Sequence, residues 1–197
     1  MILTYQSKAR FALLAGGLVL GFLPAQVGCT ETRSYFPRTE FRDLEAYNAD
    51  EPKAWSNYLS LFKEPILFND RSVVFAIRVT LAPAFSDGLI IRIQKNRDGS
   101  IEGTVKHLAR QTQVLATGTF AANNDDLDAV EAVLNDEKFW LIGNRQTVVT
   151  TDGIQLLVEV KEGGRYHVAY TNGPIDTPLW KIAKTMARVA HTSLPGM

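Results

Sequence analysis

A histidine and a glutamate on two neighbouring predicted strands are the residues best suited to chemistry in this chain. The Glu162-Gly163-Gly164 turn predicts a hairpin, and a three-residue loop that pairs Lys161 with Arg165 keeps the apolar residues of both strands together. This register places Glu159 opposite His167 on the outer face, where a carboxylate orients an imidazole. A solvated cross-strand ion pair without a catalytic role is the simpler interpretation.

No other pattern indicates a known catalytic centre. The chain has no G-x-S-x-G elbow, H-E-x-x-H helix, Walker loop or G-x-G-x-x-G turn. Its histidines, His107, His167 and His191, are far apart and have no cysteines nearby, so we predict no metal site and no cofactor. Asp152 lies at a predicted strand entrance, where sites often form, but an aspartate-glycine turn is the simpler interpretation. Phe139-Trp140 fits either a ligand platform or the core.

The N-terminus has the layout of an export signal. Lys8 and Arg10 precede the weakly polar-to-apolar run 11–23, and Pro24 and the segment 25–28 follow it. The run has thirteen residues, whereas a helix needs about twenty to span a bilayer. We therefore predict a signal peptide over residues 1–28 and an exported protein.

Cys29 is the only cysteine and comes directly after the predicted signal, where a lipoprotein carries its acylated cysteine. Gly28 fits a lipoprotein cleavage site, whereas the polar Gln26 departs from the usual pattern. We predict lipidation of Cys29, so that the membrane is a partner through the anchor; ordinary cleavage after Ala25 or Cys29, giving a soluble periplasmic protein, is the alternative. Thr30 is not the aspartate of inner-membrane retention, which predicts an outer-membrane anchor facing the periplasm if the cell has an outer membrane.

The charge balance argues against a nucleic-acid partner. The chain has 21 basic and 21 acidic residues, and loss of Lys8 and Arg10 with the signal leaves 19 against 21, a net charge of −2. Nucleic-acid binding requires a basic stripe that releases counterions, and no cluster of lysine and arginine supplies one.

Alternation of apolar and polar residues predicts an antiparallel sheet of about six strands. The strand segments are 73–81, 89–94, 101–105, 113–120, 156–160 and 166–170. Pairing of Asn96 with Ser100 across a three-residue loop keeps apolar residues opposite each other, and it predicts a positive φ at Gly99. The same argument predicts a positive φ at Gly164 in the later hairpin.

Two amphipathic helices, 125–137 and 178–191, are expected to cover the apolar face of this sheet, with Asn123 and Thr177 near their starts as caps. Apolar residues at 55, 58, 59 and 62 predict a shorter helix, and another is expected around 41–47. The predicted organisation is a signal over 1–28, a tether and helical extension over 29–65, and an α+β domain over 66–197.

The order of these motifs resembles a family of small exported bacterial α+β domains of unknown function, many of them predicted lipoproteins. The resemblance covers about residues 66–192. It rests on an Asp-Gly hairpin, an acidic-capped helix, three short motifs and a final amphipathic helix, at Asp98-Gly99, 123–126, 139–141, 151–153, 164–168 and 178–191. A paired-cysteine strand motif of some related domains is absent here. The resemblance implies the α+β fold and an exported location, and it carries no activity or catalytic residue over.

Two functions follow from these patterns. A non-enzymatic envelope protein would bind another protein or a small ligand on an exposed sheet face, because each strand is expected to have one solvated side. That candidate binding face comprises Arg78, Arg92, Glu159, Arg165 and His167. The alternative is a hydrolase-like enzyme that uses His167 with an acidic partner. The lack of a recognisable nucleophile favours the binding protein.

Overall fold

The computed structural model describes residues 34–37, 39–41, 50–83, 86–109, 113–146, 153–172 and 176–195, all within one compact unit, Thr32–Met197. The predicted signal, Cys29, Asp152 and nearly all of the helix expected around 41–47 lie outside these residues.

The described residues have an α+β fold, as predicted. Its helices are α1 (Glu51–Leu61), α2 (Asn124–Asp136) and α3 (Pro178–Val189), and a short 3₁₀ helix spans Phe139–Leu141. The strands are β1 (Val73–Pro83), β2 (Gly88–Asn96), β3 (Ile101–Ala109), β4 (Gln113–Phe120), β5 (Arg145–Gln146), β6 (Ile154–Glu162) and β7 (Arg165–Thr171). They form one sheet in the order β4-β3-β2-β1-β6-β7-β5. Six strands are antiparallel to their neighbours, and the two-residue β5 runs parallel to β7.

Alternate residues of the central strands belong to two different hydrophobic clusters. In β1, Ile77 and Val79 share a cluster with Leu127 of α2 and Trp180 of α3. Ala82 lies further along the same strand, at a position that faces the opposite side of the sheet, and it belongs to a second cluster. The second cluster also contains residues of α1 and of the segment before it, namely Tyr35, Phe36, Phe41, Trp55 and Leu59. Both sides of the sheet therefore contribute to a core.

The prediction that every strand has a solvated side is wrong. Arg78 and Thr80 of β1 and Glu159 of β6 have no exposed surface, and Lys161 is only 7% exposed. The alternation of apolar and polar residues predicts which residues of a strand share a side of the sheet. It does not indicate whether other segments cover the polar side, and here the second cluster covers it. Arg78, Glu159 and Lys161 remain there because ion pairs and hydrogen bonds satisfy them, whereas the Thr80 hydroxyl has no hydrogen-bond partner among the described residues.

The β2–β3 hairpin has the predicted register. Ile91 lies opposite Val105, Ile93 opposite Gly103 and Gln94 opposite Glu102. The backbone N–H of Asn96 donates to the Ser100 carbonyl at 2.8 Å, and Gly99 has a φ of 88°. A three-residue loop that ends in a left-handed glycine is therefore confirmed.

The predicted register of the β6–β7 hairpin is wrong by one residue. Glu162 pairs with Arg165 across a two-residue loop, and the positive φ of 57° belongs to Gly163 rather than Gly164. The prediction placed Tyr166 and Val168 on the first core, whereas both pack in or against the second cluster. The N–H of Gly163 also donates to the Val74 carbonyl at 2.8 Å, which holds the turn on β1.

The helix ends follow the sequence in part. The Asn123 side chain accepts from the Asp126 N–H, and the Asp126 carboxylate accepts from the Asn123 N–H, so α2 begins with a reciprocal capping box. Thr177 precedes α3 at the capping position, but its side chain makes no capping hydrogen bond. None of the described helices is long and apolar enough to cross a membrane.

Candidate ligand-binding site

The five residues predicted to form one binding face do not lie on one side of the sheet. Strand alternation puts Arg78, Arg92 and Glu159 on the side of the second cluster and puts Arg165 and His167 on the side of the first. Glu159 lies opposite Val168, and Val160 lies opposite His167. The predicted Glu159–His167 pair is therefore wrong, because the hairpin register differs by one residue and reverses the side of His167.

Arg78 and Glu159 form a buried bidentate ion pair between β1 and β6. The Arg78 Nε lies 2.6 Å from Glu159 Oε2, and its Nη2 lies 2.7 Å from Glu159 Oε1. Burial disfavours the charged guanidinium, but the attraction of Glu159 and Glu64 together outweighs it and raises the pKa of Arg78. The guanidinium therefore stays charged in the core.

Glu64 extends this pair into a network. Its carboxylate lies 2.6 Å from Lys106 Nζ, 3.4 Å from Arg78 Nη1 and 3.9 Å from Arg92 Nε. Burial of Glu64 favours its neutral form, yet these cations together lower its pKa. Sequence reasoning missed Glu64, because it lies in the turn after α1 and no periodicity marks it.

Two tyrosines complete the network from opposite directions. The Tyr35 hydroxyl donates to the Glu64 carbonyl at 2.7 Å, and the Tyr35 ring lies 5.8 Å from the Arg78 guanidinium carbon. The Tyr166 hydroxyl donates to Glu159 Oε1 at 2.8 Å. Burial raises the pKa of both tyrosines. The segment around Tyr35 thus covers the charges, so this network stabilises the fold and offers no open binding surface.

His167 has an acidic partner that the sequence did not indicate. Its Nδ1 lies 3.0 Å from Glu40 Oε2, and its Nε2 lies 2.8 Å from the Ile142 carbonyl oxygen. A carboxylate and a carbonyl accept hydrogen bonds, so both ring nitrogens face acceptors that the fold itself supplies. Neither ring nitrogen is left to act on a substrate, and the hydrolase-like alternative has no free base at His167.

Arg165 is occupied as well, although its side chain is exposed. It pairs with Glu162 of the same hairpin, and its guanidinium carbon lies 4.3 Å from the centre of the Trp140 ring. Phe139 is buried in the first cluster, so the core interpretation of that aromatic residue holds, while Trp140 supports Arg165 at the surface.

A cavity of about 290 Å³ lies at the end of the second cluster. Helix α1 and three strands line it, through Glu51, Ala54, Trp55, Tyr58, Ala82, Gln155, Tyr170 and Asn172. Three aromatic rings and three polar side chains therefore meet at one concave place, which is the composition of a small-molecule site. Its volume suits a small ligand.

A carboxyl group and a phenol meet at this cavity. The Tyr170 hydroxyl donates to Glu51 Oε2, which joins β7 to the first turn of α1. Burial raises the pKa of Glu51, although Arg145 opposes the shift. Tyr58, on the same wall, has a buried hydroxyl without a hydrogen-bond partner among the described residues, and burial raises its pKa. These groups favour a ligand that brings polar hydrogens.

The sequence pointed to only part of this cavity. Trp55 and Tyr58 were predicted correctly as the apolar stripe of a short helix, and helix α1 contains both. Glu51 and Gln155 come from distant segments with no shared motif, so only folding brings them together. Within the described ranges, no group of three or more histidine, cysteine, aspartate or glutamate side chains is arranged to hold a metal ion.

Comparisons with protein-family models and with curated proteins identified no relative of this chain. No protein-family model matches the chain, and no curated protein is significantly similar to it. The resemblance to small exported domains therefore stays a prediction.

Proposed function

We propose that this protein is a non-enzymatic binding module of the cell envelope, held at a membrane by a lipid on Cys29, that binds a small polar ligand in the cavity beside α1. The observation that carries the proposal is the meeting of Trp55, Tyr58 and Tyr170 with the Glu51 carboxyl in one cavity of about 290 Å³. The occupied ring nitrogens of His167 support binding over catalysis.

The lining of the cavity favours a ligand with hydroxyl or amine groups. The Glu51 carboxyl and the side-chain amides of Gln155 and Asn172 offer acceptors, while the aromatic rings offer flat apolar walls. A free carboxylate or phosphate would approach the half-buried Glu51 carboxyl and is disfavoured. The ligand class is therefore a small neutral or cationic molecule with several polar hydrogens.

The proposed anchor would hold this cavity close to the membrane. Five peptide links separate Cys29 from Ser34, the first described residue, and they span at most roughly 18 Å. In this arrangement α2 and α3 cover one side of the sheet, and the described part of the predicted extension, with Tyr35, Phe36 and α1, packs in the cluster on the other side. The resemblance to exported domains agrees with this placement, in an outer membrane if the cell has one.

Filling the cavity tests the proposed ligand site. Ala54 lines the cavity and is itself exposed on α1, so Ala54→Phe adds volume there without removing a core side chain. Asn57→Phe, at an exposed position of the same helix, is the matched control. The probes are methyl glycosides, primary amines and small carboxylates, and the readout is their effect on amide NMR signals of α1 and β7.

We expect a glycoside or an amine to shift these signals in the wild type and in Asn57→Phe and to lose that effect in Ala54→Phe. The carboxylates should give no shift. If no probe of either class shifts the signals of Trp55 or Tyr170, or if Ala54→Phe responds like the wild type, the cavity is not a ligand site of this class.

A further inference from the structure

Strand β4 forms one edge of the described sheet. Strand β4 is the last in the sheet order, and no strand among the described residues pairs with its outer side. Seven of its eight residues are exposed, including Val114 at 41% and Leu115 at 53%. It contains no charged residue and no proline. An edge of this kind is ready to accept another strand.

At the opposite end of the sheet, other segments occupy the outer backbone N–H groups of β7. Beside β5, the N–H of Tyr170 donates to the Asn144 carbonyl at 2.9 Å, and the N–H of Val168 donates to the Glu40 carboxylate at 3.3 Å. Within the described strand β4, a bulge at Leu115, next to Ala116, is the one irregularity that would hinder pairing with another strand. Beyond it, residues 116–120 keep a regular register with β3, and no described strand pairs with their outer side.

We propose that β4 pairs with β4 of a second copy, antiparallel and around a two-fold axis at Gly118. This register places Gly118 opposite Gly118 and Thr117 opposite Thr119, and Ala116 faces Phe120. A two-fold axis brings identical residues together, so a charged strand would repel its copy, whereas β4 has no charge to repel. Paired threonines also hydrogen-bond across antiparallel strands.

The size of the contact sets its strength. A five-residue strand pair covers less area than the roughly 1,200–2,000 Å² of a stable interface, so the dimer is weak in dilute solution. The proposed lipid anchor, on which this step rests, would confine the copies to one membrane, raise their effective concentration and favour pairing. A foreign peptide with charged side chains would find no opposite charge on β4, which favours the second copy as the occupant.

A cysteine at Gly118 tests the pairing directly. A Cβ at this position has no atom within 4 Å and its backbone is not in the left-handed region, so Gly118→Cys is compatible with the fold. Cysteines that face each other across antiparallel strands lie within disulfide reach. The full chain is expressed in its own membrane, treated with a mild oxidant and separated without reductant. Ala132→Cys on the exposed surface of α2 is the control, and the wild type measures the background from Cys29.

We expect a cross-linked dimer with Gly118→Cys and none with Ala132→Cys or the wild type. Adding Ala116→Lys to Gly118→Cys should abolish the dimer by placing charge on the edge, whereas Ala132→Lys should leave it intact. The thermal unfolding of each variant checks that it folds. A folded Gly118→Cys chain that gives no more dimer than Ala132→Cys, or a dimer insensitive to Ala116→Lys, would overturn the pairing. Neither result depends on whether the cavity binds a ligand.

Discussion

Arg78 is the residue on which the charged part of the second core depends. It pairs with Glu159 through two short hydrogen bonds and also faces Glu64, and none of its surface is exposed. Removing it leaves two carboxylates buried without their main counter-charge, and a buried charge that has lost its partner is strongly unfavourable. Substitution of Arg78 therefore tests the buried charged network directly.

We expect Arg78→Met to lower the free energy of unfolding by about 3–5 kcal/mol in urea denaturation. Arg165→Met is the matched control, because it breaks the pair with Glu162 at the surface, where side-chain exposures are 60% and 43%. That control should lose less than about 1 kcal/mol. Equal losses in both variants would contradict the structural role of the buried network.

Glu64 should make the free energy of unfolding depend on pH in the acidic range. Its pKa is lowered in the folded protein from an ordinary value of 4.5, so its contribution is complete above 4.5 and is lost as the pH falls through the folded pKa. Glu64→Gln should remove this part of the acid dependence. The measurement is the free energy of unfolding of both proteins from pH 7 to pH 3; parallel curves would show that Glu64 contributes nothing to it.

At the scale of elements, the β6–β7 turn shows why one glycine cannot be exchanged for its neighbour. Gly163 has a φ of 57°, whereas Gly164 is outside the left-handed region, and a Cβ at either position would have no atom within 4 Å. Backbone conformation, rather than space, therefore distinguishes the two positions.

Gly163→Val should destabilise the protein by about 1 kcal/mol or more, because a β-branched residue is strained at positive φ. Gly164→Val should cost clearly less. Thermal unfolding of the two variants provides the comparison, and Gly99→Val, at a φ of 88°, should resemble Gly163→Val. A greater loss of stability in Gly164→Val than in Gly163→Val would instead support the three-residue loop that was predicted from the sequence.

At the scale of the whole molecule, the proposed lipid anchor on Cys29 would decide where the cavity and the β4 edge act. Cys29→Ser should move the mature protein from the detergent phase to the aqueous phase in a phase-separation experiment, because the proposed lipid is the only strong membrane attachment expected. Thr30→Ser, next to it, is the control and should stay in the detergent phase. Cys29→Ser protein that remains with the detergent would rule out the lipid anchor at this position.

The sequence determined the α+β class, helices α1, α2 and α3 and the register of the β2–β3 hairpin, because each depends on local periodicity or on turn residues such as Gly99. It did not determine the exposure of the sheet. Alternation assigns Arg78 and Glu159 to one side of the sheet, but only the distant segment around Tyr35 decides whether water reaches that side.

Tertiary structure alone decided the candidate site. Glu51 and Tyr170 meet across 119 residues of chain, and Glu40 reaches His167 across 127, so no spacing in the sequence announces either contact. The β6–β7 register also depended on tertiary structure. Because the sheet has a second core, either side of β7 can bury apolar residues, so the apolar pattern of the strand did not decide the register. Local patterns specify elements, whereas burial and long-range contacts depend on how the elements cover one another.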